Sequence, residues 1–141
     1  MTILDSNKNK KSPFPWEGFR MGIAAILALF IGVMSVISGS KVLLGFDLKN
    51  YNVLNWLVMY NVLFGVLSIA ASYLIWKSNL QAKKAIVFIL SAHTIIALYL
   101  YLFNETVATE SIKAMGFRVS IWIIIFLLTI KMNSNHKKQT T

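Results

Sequence analysis

Four stretches of about twenty apolar residues, about 21–38, 53–76, 85–103 and 114–130, occupy most of the chain. Residues 21–37 hold no charge at all. A bilayer core is about 30 Å thick, and a helix rising about 1.5 Å per residue crosses it in about 20 residues. Lipid supplies no hydrogen bonds to bare backbone, so spanning segments are helices or strands of a closed barrel. Barrel strands alternate apolar and polar residues over about ten positions. Residues 121–128 read IWIIIFLL, apolar on every side, which suits a helix. The connections at about 39–52, 77–84 and 104–113 are short, and short connections make sequential helices antiparallel neighbours. The expected fold is therefore all-α. It is a four-helix transmembrane bundle, up-down-up-down, forming one integral membrane domain over 1–141, with flexible ends at 1–12 and 133–141.

Composition agrees. Charged residues make up 13% of the chain, half the roughly 25% of a soluble domain, so a soluble globule is a poor reading. Hydrophobic residues at 57% exclude intrinsic disorder. The chain has no cysteine, hence no disulfide framework and no thiolate-held metal. Lys8, Lys10 and Lys11 before the first run, and Ser38-Gly39-Ser40 after it, resemble parts of a signal peptide. The run is longer than the usual 7–15 residue apolar region, however, so a retained span is expected.

Orientation follows from the Lys/Arg bias. With the N-terminus inside, ten basic residues (Lys8, Lys10, Lys11, Arg20, Lys77, Lys83, Lys84, Lys131, Lys137, Lys138) lie inside, against four outside (Lys41, Lys49, Lys113, Arg118). Both termini are thus expected in the cytoplasm, and a bacterial inner membrane is the expected location. The same distribution explains the formal charge of +9 without nucleic acid. The basic residues flank apolar helices and form no stripe with stacking aromatics.

Helices in lipid associate through small residues that let backbones approach, and through polar contacts. Gly18, Gly22, Ala25, Ala28, Gly32, Ser35 and Gly39 recur at threes and fours along the first span. Asn61, Gly65, Ser68 and Ser72 do the same on the second. These faces are expected to meet each other or the bundle centre; a substrate groove along them is the alternative. No proline interrupts a span, so hinged helices are not signalled.

Polar residues at membrane depth are functional candidates. Asn61, His93 and Arg118 are the three that stand out. At about 1.5 Å per residue, Asn61 lies about 12 Å and Arg118 about 10 Å below the outer boundary, with His93 near the midplane. If they converge, they form a small ligand site. Each also has a structural alternative: an interhelical hydrogen bond for His93 and Asn61, and snorkelling to headgroups or pairing with Glu105 or Glu110 for Arg118. No span contains Asp or Glu, so carboxylate-driven proton antiport and a Ser/His/Asp triad have no residue to run on. No metal site is expected, because four ligands are not on offer.

Ile37-Ser38-Gly39-Ser40-Lys41-Val42-Leu43 resembles the S-G-x-x-K-L-type ending of a span in DoxX-like membrane proteins. Asn61-Val62-Leu63-Phe64-Gly65 stands where those proteins often carry E-x-x-x-G, and Lys77, Lys83 and Lys84 follow as their basic turn does. The resemblance covers about a dozen positions of the first two spans. It departs at Lys41, one residue early, and at Asn61, which replaces the acid. It implies a four-helix membrane fold and an accessory role in membrane redox or envelope physiology, some members being subunits of quinone-linked sulfur oxidation.

Together these features lead to the expectation of a non-catalytic accessory or interaction subunit of a membrane complex. Its partners would be the lipid bilayer and either a protein partner or further copies of itself. No cofactor is required. The alternatives are a protein binding a small lipid-soluble molecule such as a quinone through Asn61, His93 and Arg118, or a small transporter.

Overall fold

The computed structural model describes residues 16–46, 54–103 and 109–130. The ends expected to be flexible lie outside these, as do Lys8, Lys10, Lys11, Lys49, Glu105, Lys131, Lys137 and Lys138. The described residues form four helices, α1 (Trp16–Leu43), α2 (Asn55–Trp76), α3 (Leu80–Phe103) and α4 (Thr109–Ile130). Each is long and apolar enough to cross a membrane.

The helices outrun the apolar runs. α1 starts five residues before Met21, α3 starts at Leu80 rather than 85, and α4 at Thr109 rather than 114. Hydropathy stops at charges, but the backbone does not. Lys and Glu are good helix formers, and their long stems reach toward the interface while the helix continues through Lys83, Lys84, Glu110 and Lys113.

Two helix ends close by the same device. At the end of α1 the amide of Phe46 donates to Lys41 O (3.0 Å) and that of Gly45 to Val42 O (3.1 Å). At the end of α2 the amide of Asn79 donates to Leu74 O (3.0 Å) and that of Ser78 to Ile75 O (2.9 Å). Both are Schellman motifs, which need a left-handed residue. Gly45 (φ 75°) supplies it freely, whereas Ser78 (φ 51°) adopts it at a cost. Asn79 then caps α3, its Oδ1 accepting from the amide of Gln81 (3.0 Å).

Each helix packs on its chain neighbours, and α1 closes the ring on α4. The α1–α2 pair is the tightest. A Cβ placed on Gly32 would lie 2.8 Å from Gly65 O, and one on Gly65 would lie 2.9 Å from Gly32 O. One on Gly39 would collide with Val62. Ser72 Oγ donates to Ala25 O (2.8 Å), so the two helices are also tied by a buried hydrogen bond. The partners on α2 fall in number as those on α1 rise.

The small-residue face does not pack along its whole length. Gly18 is exposed, and a Cβ on Gly22 would meet nothing within 4 Å. The packing role expected of these two is therefore corrected. For Gly18 the reason is length: Ala25 already lies opposite Ser72, so α2 ends at Trp76, about level with Met21, while Gly22 lies alongside α2 with nothing near enough to touch a Cβ. Ala25 and Ala28 are buried, with Ala24, in a core cluster around Trp122 of α4, whose exposure is 0%. Ser68 is buried as well, but its hydroxyl donates to Phe64 O of its own helix (2.6 Å). At the far end of α4, Arg20 Nη2 donates to Leu128 O (3.0 Å) and Leu127 O (3.4 Å). These are among the last four carbonyls of the helix, which have no partner within it.

Candidate functional site

A cavity of about 130 Å³ lies where the C-terminal end of α1 meets the N-terminal ends of α2 and α4. Apolar side chains (Val42, Leu54, Leu57, Val58, Met115) form part of its wall. Its polar lining is Ser35 and Ser38 from α1, Asn61 from α2, and Glu110, Ser111 and Arg118 from α4. On α4 the spacing 111, 114/115, 118 keeps three successive turns on one face. Glu110 lies in the first turn of that helix, about 12 Å along the axis from Arg118. Glu110 thus marks the mouth and Arg118 the depth of the cavity.

Arg118 is partly buried, and its Nε–H donates to Ser35 Oγ (3.3 Å). Its two terminal nitrogens have no hydrogen-bond partner among the described residues. Asn61 Oδ1 is buried and equally without a partner. A guanidinium offers five donors and no acceptor, and an unpaired amide oxygen in an apolar setting is costly. One cavity thus holds unused donors and an unused buried acceptor. The volume suits a compact polar group rather than a drug-sized molecule, whose sites run to about 300 Å³ or more.

A second, larger cavity of about 330 Å³ shares Ser35, Ser38, Ala114 and Arg118 with the first. Its remaining wall is Phe30, Ile31, Met34 and Phe117. Phe30, Met34 and Phe117 are exposed side chains of α1 and α4, so this is a groove on the outside of the bundle. Arg118 and Ser35 stand between groove and interior.

Of the three polar candidates, Asn61 and Arg118 line the same cavity, and His93 does not. His93 is 2% exposed at the α2–α3 contact, where its Nδ1 shares a 2.8 Å hydrogen bond with the Tyr60 hydroxyl. Phe64 lies 5.5 Å from its ring centroid, and Phe88 stacks 6.1 Å beyond Phe64. His93 is thus an interhelical hydrogen-bonding group in an aromatic setting. Tyr60 was not among the sequence candidates. Its role depends on which residue of α3 lies opposite, and no local pattern carries that. Ser35, Ser38 and Ser111 were not singled out as ligand groups either; Ser35 falls in the small-residue stripe and reads there as packing. Among the described residues no three His, Asp or Glu side chains gather to hold a metal ion.

Fold and site define a class: an all-helical chain whose four helices fit a multi-pass membrane protein, with a polar cavity opening at one end. No family model, curated protein or solved structure matches the chain.

Proposed function

We propose that this is a multi-pass protein of a bacterial inner membrane that holds the polar head of a small lipid-soluble molecule at Ser35, Asn61 and Arg118. One observation carries the reading: the terminal nitrogens of Arg118 and the buried Asn61 Oδ1, all without a hydrogen-bond partner among the described residues, share a cavity. An Arg at membrane depth is costly unless it is paired, hydrated or engaged in function. An anionic or carbonyl-bearing head would accept from the guanidinium, and a quinone-like head belongs to that class. The described residues suggest binding rather than catalysis, since no acid–base pair stands at the cavity floor.

The bundle is up-down-up-down with both termini in the cytoplasm. Contacts supporting antiparallel neighbours are Ala25–Ser72 and Gly32–Gly65 between α1 and α2, Trp56–Tyr99 and Phe64–Phe88 between α2 and α3, and Arg20–Leu128 and Ser35–Arg118 between α1 and α4. The cavity then opens toward the outer face. Cysteines placed at Asn50 and Thr106 should label from outside, and one at Asn79 should not; the reverse pattern contradicts this orientation.

The test of binding is purification in mild detergent followed by mass spectrometry of retained lipids and proteins. A stoichiometric small lipid that is lost in Arg118→Leu and partly kept in Arg118→Lys supports the reading, because the fork geometry matters as well as the charge. Equal retention in all three sinks it. The accessory-subunit reading has its own observation: α3 buries only five of its 24 residues (Ala82, Ile86, Ile89, His93, Leu100), leaving a broad apolar face. A stoichiometric protein in the same purification would favour that role.

A further inference from the structure

The two cavities that meet at Arg118 differ in character, and their order along the bundle has a direction. Ser38 and Ala114 stand at the end where α1 closes and α4 opens. Phe30 lies eight residues back along α1, about 12 Å nearer the middle of the membrane. The groove therefore runs from headgroup depth toward the midplane, as an acyl chain of one leaflet does. Its wall changes along the way from serine hydroxyls and a guanidinium, with Phe117 beside them, to exposed Phe30 and Met34.

The interior cavity divides in the same fashion. Arg118 at its depth supplies donors only, which suits a phosphate oxygen or other oxyanion. Glu110 at its mouth and the buried Asn61 Oδ1 supply acceptors, which suit an ammonium group or hydroxyl. A purely anionic head would satisfy Arg118 but leave the Asn61 oxygen unpaired and face the Glu110 carboxylate. A head carrying a phosphate and an amine satisfies all three.

Resting on the binding role proposed above, we infer that the Arg118 site takes a phosphoethanolamine-type lipid from the outer leaflet, entering sideways between α1 and α4. Its phosphate lies on Arg118 and Ser35. Its amine points to Asn61 and Glu110. One acyl chain lies in the groove along Phe30, Met34 and Phe117.

The full-length protein is reconstituted in nanodiscs of phosphatidylglycerol containing one-fifth phosphatidylethanolamine, and lipids kept through detergent exchange are counted by native mass spectrometry. The retained phosphatidylethanolamine-to-phosphatidylglycerol ratio should stand about tenfold above that of the disc, as one charge-assisted hydrogen bond allows. Glu110→Gln should cut that enrichment several-fold without reducing phosphatidylglycerol retention. Met34→Trp, which narrows the groove away from the head, should weaken binding of both lipids. Arg118→Leu should lose both. Retention in the bulk ratio by wild type and Glu110→Gln alike, with Arg118→Leu still defective, overturns the phosphoethanolamine inference and leaves the binding role standing. Retention unchanged in Arg118→Leu overturns the binding role itself. Water-soluble phosphoethanolamine at millimolar concentration should not displace the lipid; if it does, the site takes a soluble ligand and the sideways entry is wrong.

Discussion

α1 makes two long seams, and they are built in opposite ways. Against α2 it presents Gly32 and Gly39, and the backbones approach until no side chain fits between them. Against α4 it presents Ala24, Ala25 and Ala28 to Trp122 at one end, and Ser35 and Ser38 to Arg118 at the other. The first seam is closed from Gly32 to Gly39, and opens into an apolar groove beyond Leu29, toward Ala25 and Trp76. The second is filled by one large ring at one end and left hollow, polar and open to the side at the other. Small residues in a membrane helix thus do two things. Where the opposing residue is also small they bring backbones together; where it is large or charged they make room for it. The difference separates the part of the molecule that holds it together from the part that offers a site.

The contrast can be broken in a graded series, read by thermal unfolding in detergent. Gly32→Leu should have the largest effect. A Cβ alone meets Gly65 O at 2.8 Å and Ile69 N at 3.0 Å, and backbone cannot move aside cheaply. A loss beyond the usual overpacking range of about 1–3 kcal/mol is expected. Gly22→Leu, on the same face but against open space, should be close to neutral. Comparable losses in the two variants would erase the distinction between contacting and non-contacting parts of the stripe.

Next comes Arg118→Leu, with the opposite sign. A charged residue at membrane depth costs about 2.5–3.5 kcal/mol on insertion scales. The hydrogen bond of its Nε to Ser35 is long at 3.3 Å and returns little of that. The variant should melt higher than wild type by an amount worth roughly 1–2 kcal/mol, while losing bound lipid. A lower melting temperature would mean that Arg118 holds α1 and α4 together rather than serving a site.

Ser72→Ala tests the remaining tie in the closed seam. Its hydroxyl reaches Ala25 O across the interface. Interhelical hydrogen bonds in membranes average about 0.6 kcal/mol, so a small loss is expected. A loss as large as that of Gly32→Leu would make hydrogen bonding, not close approach, the basis of the seam. Smallest is Ser78→Gly, which should raise stability by about 0.5 kcal/mol because glycine adopts the left-handed conformation freely. Gly45→Ser at the equivalent place after α1 should lower it by a similar amount.

Much of this architecture is legible in the residues, and the division between what is and what is not has physical causes. Hydropathy alone yields four helices, because lipid leaves the backbone few choices. It misplaces the starts of α3 and α4, since Lys83, Lys84 and Lys113 are charged yet helical. Periodicity shows that Gly18, Gly22, Gly32 and Gly39 share a face. It cannot show that α2 ends about level with Met21 and leaves Gly18 beyond it, or that nothing comes close to Gly22. Depth arithmetic places Asn61, His93 and Arg118 within a narrow band. It cannot supply rotation about each helix axis, and that is what sends His93 to Tyr60 and leaves Asn61 with Arg118. The cavity is less legible still. It exists because Gly39, Ala114 and three serines, small residues on two helices, come together there, and such a coincidence depends on register between helices.

The most direct test of the open seam is photo-crosslinking from its rim in native membranes. Phe117, exposed on α4 beside Arg118, is replaced by benzoylphenylalanine, and the adduct is identified by mass spectrometry with and without Arg118→Leu. The predicted result is one dominant lipid adduct in the Arg118 background that falls to the level of random bilayer lipid in Arg118→Leu. An adduct profile matching bulk membrane composition in both backgrounds would contradict it, and would reduce the groove to ordinary lipid-facing surface.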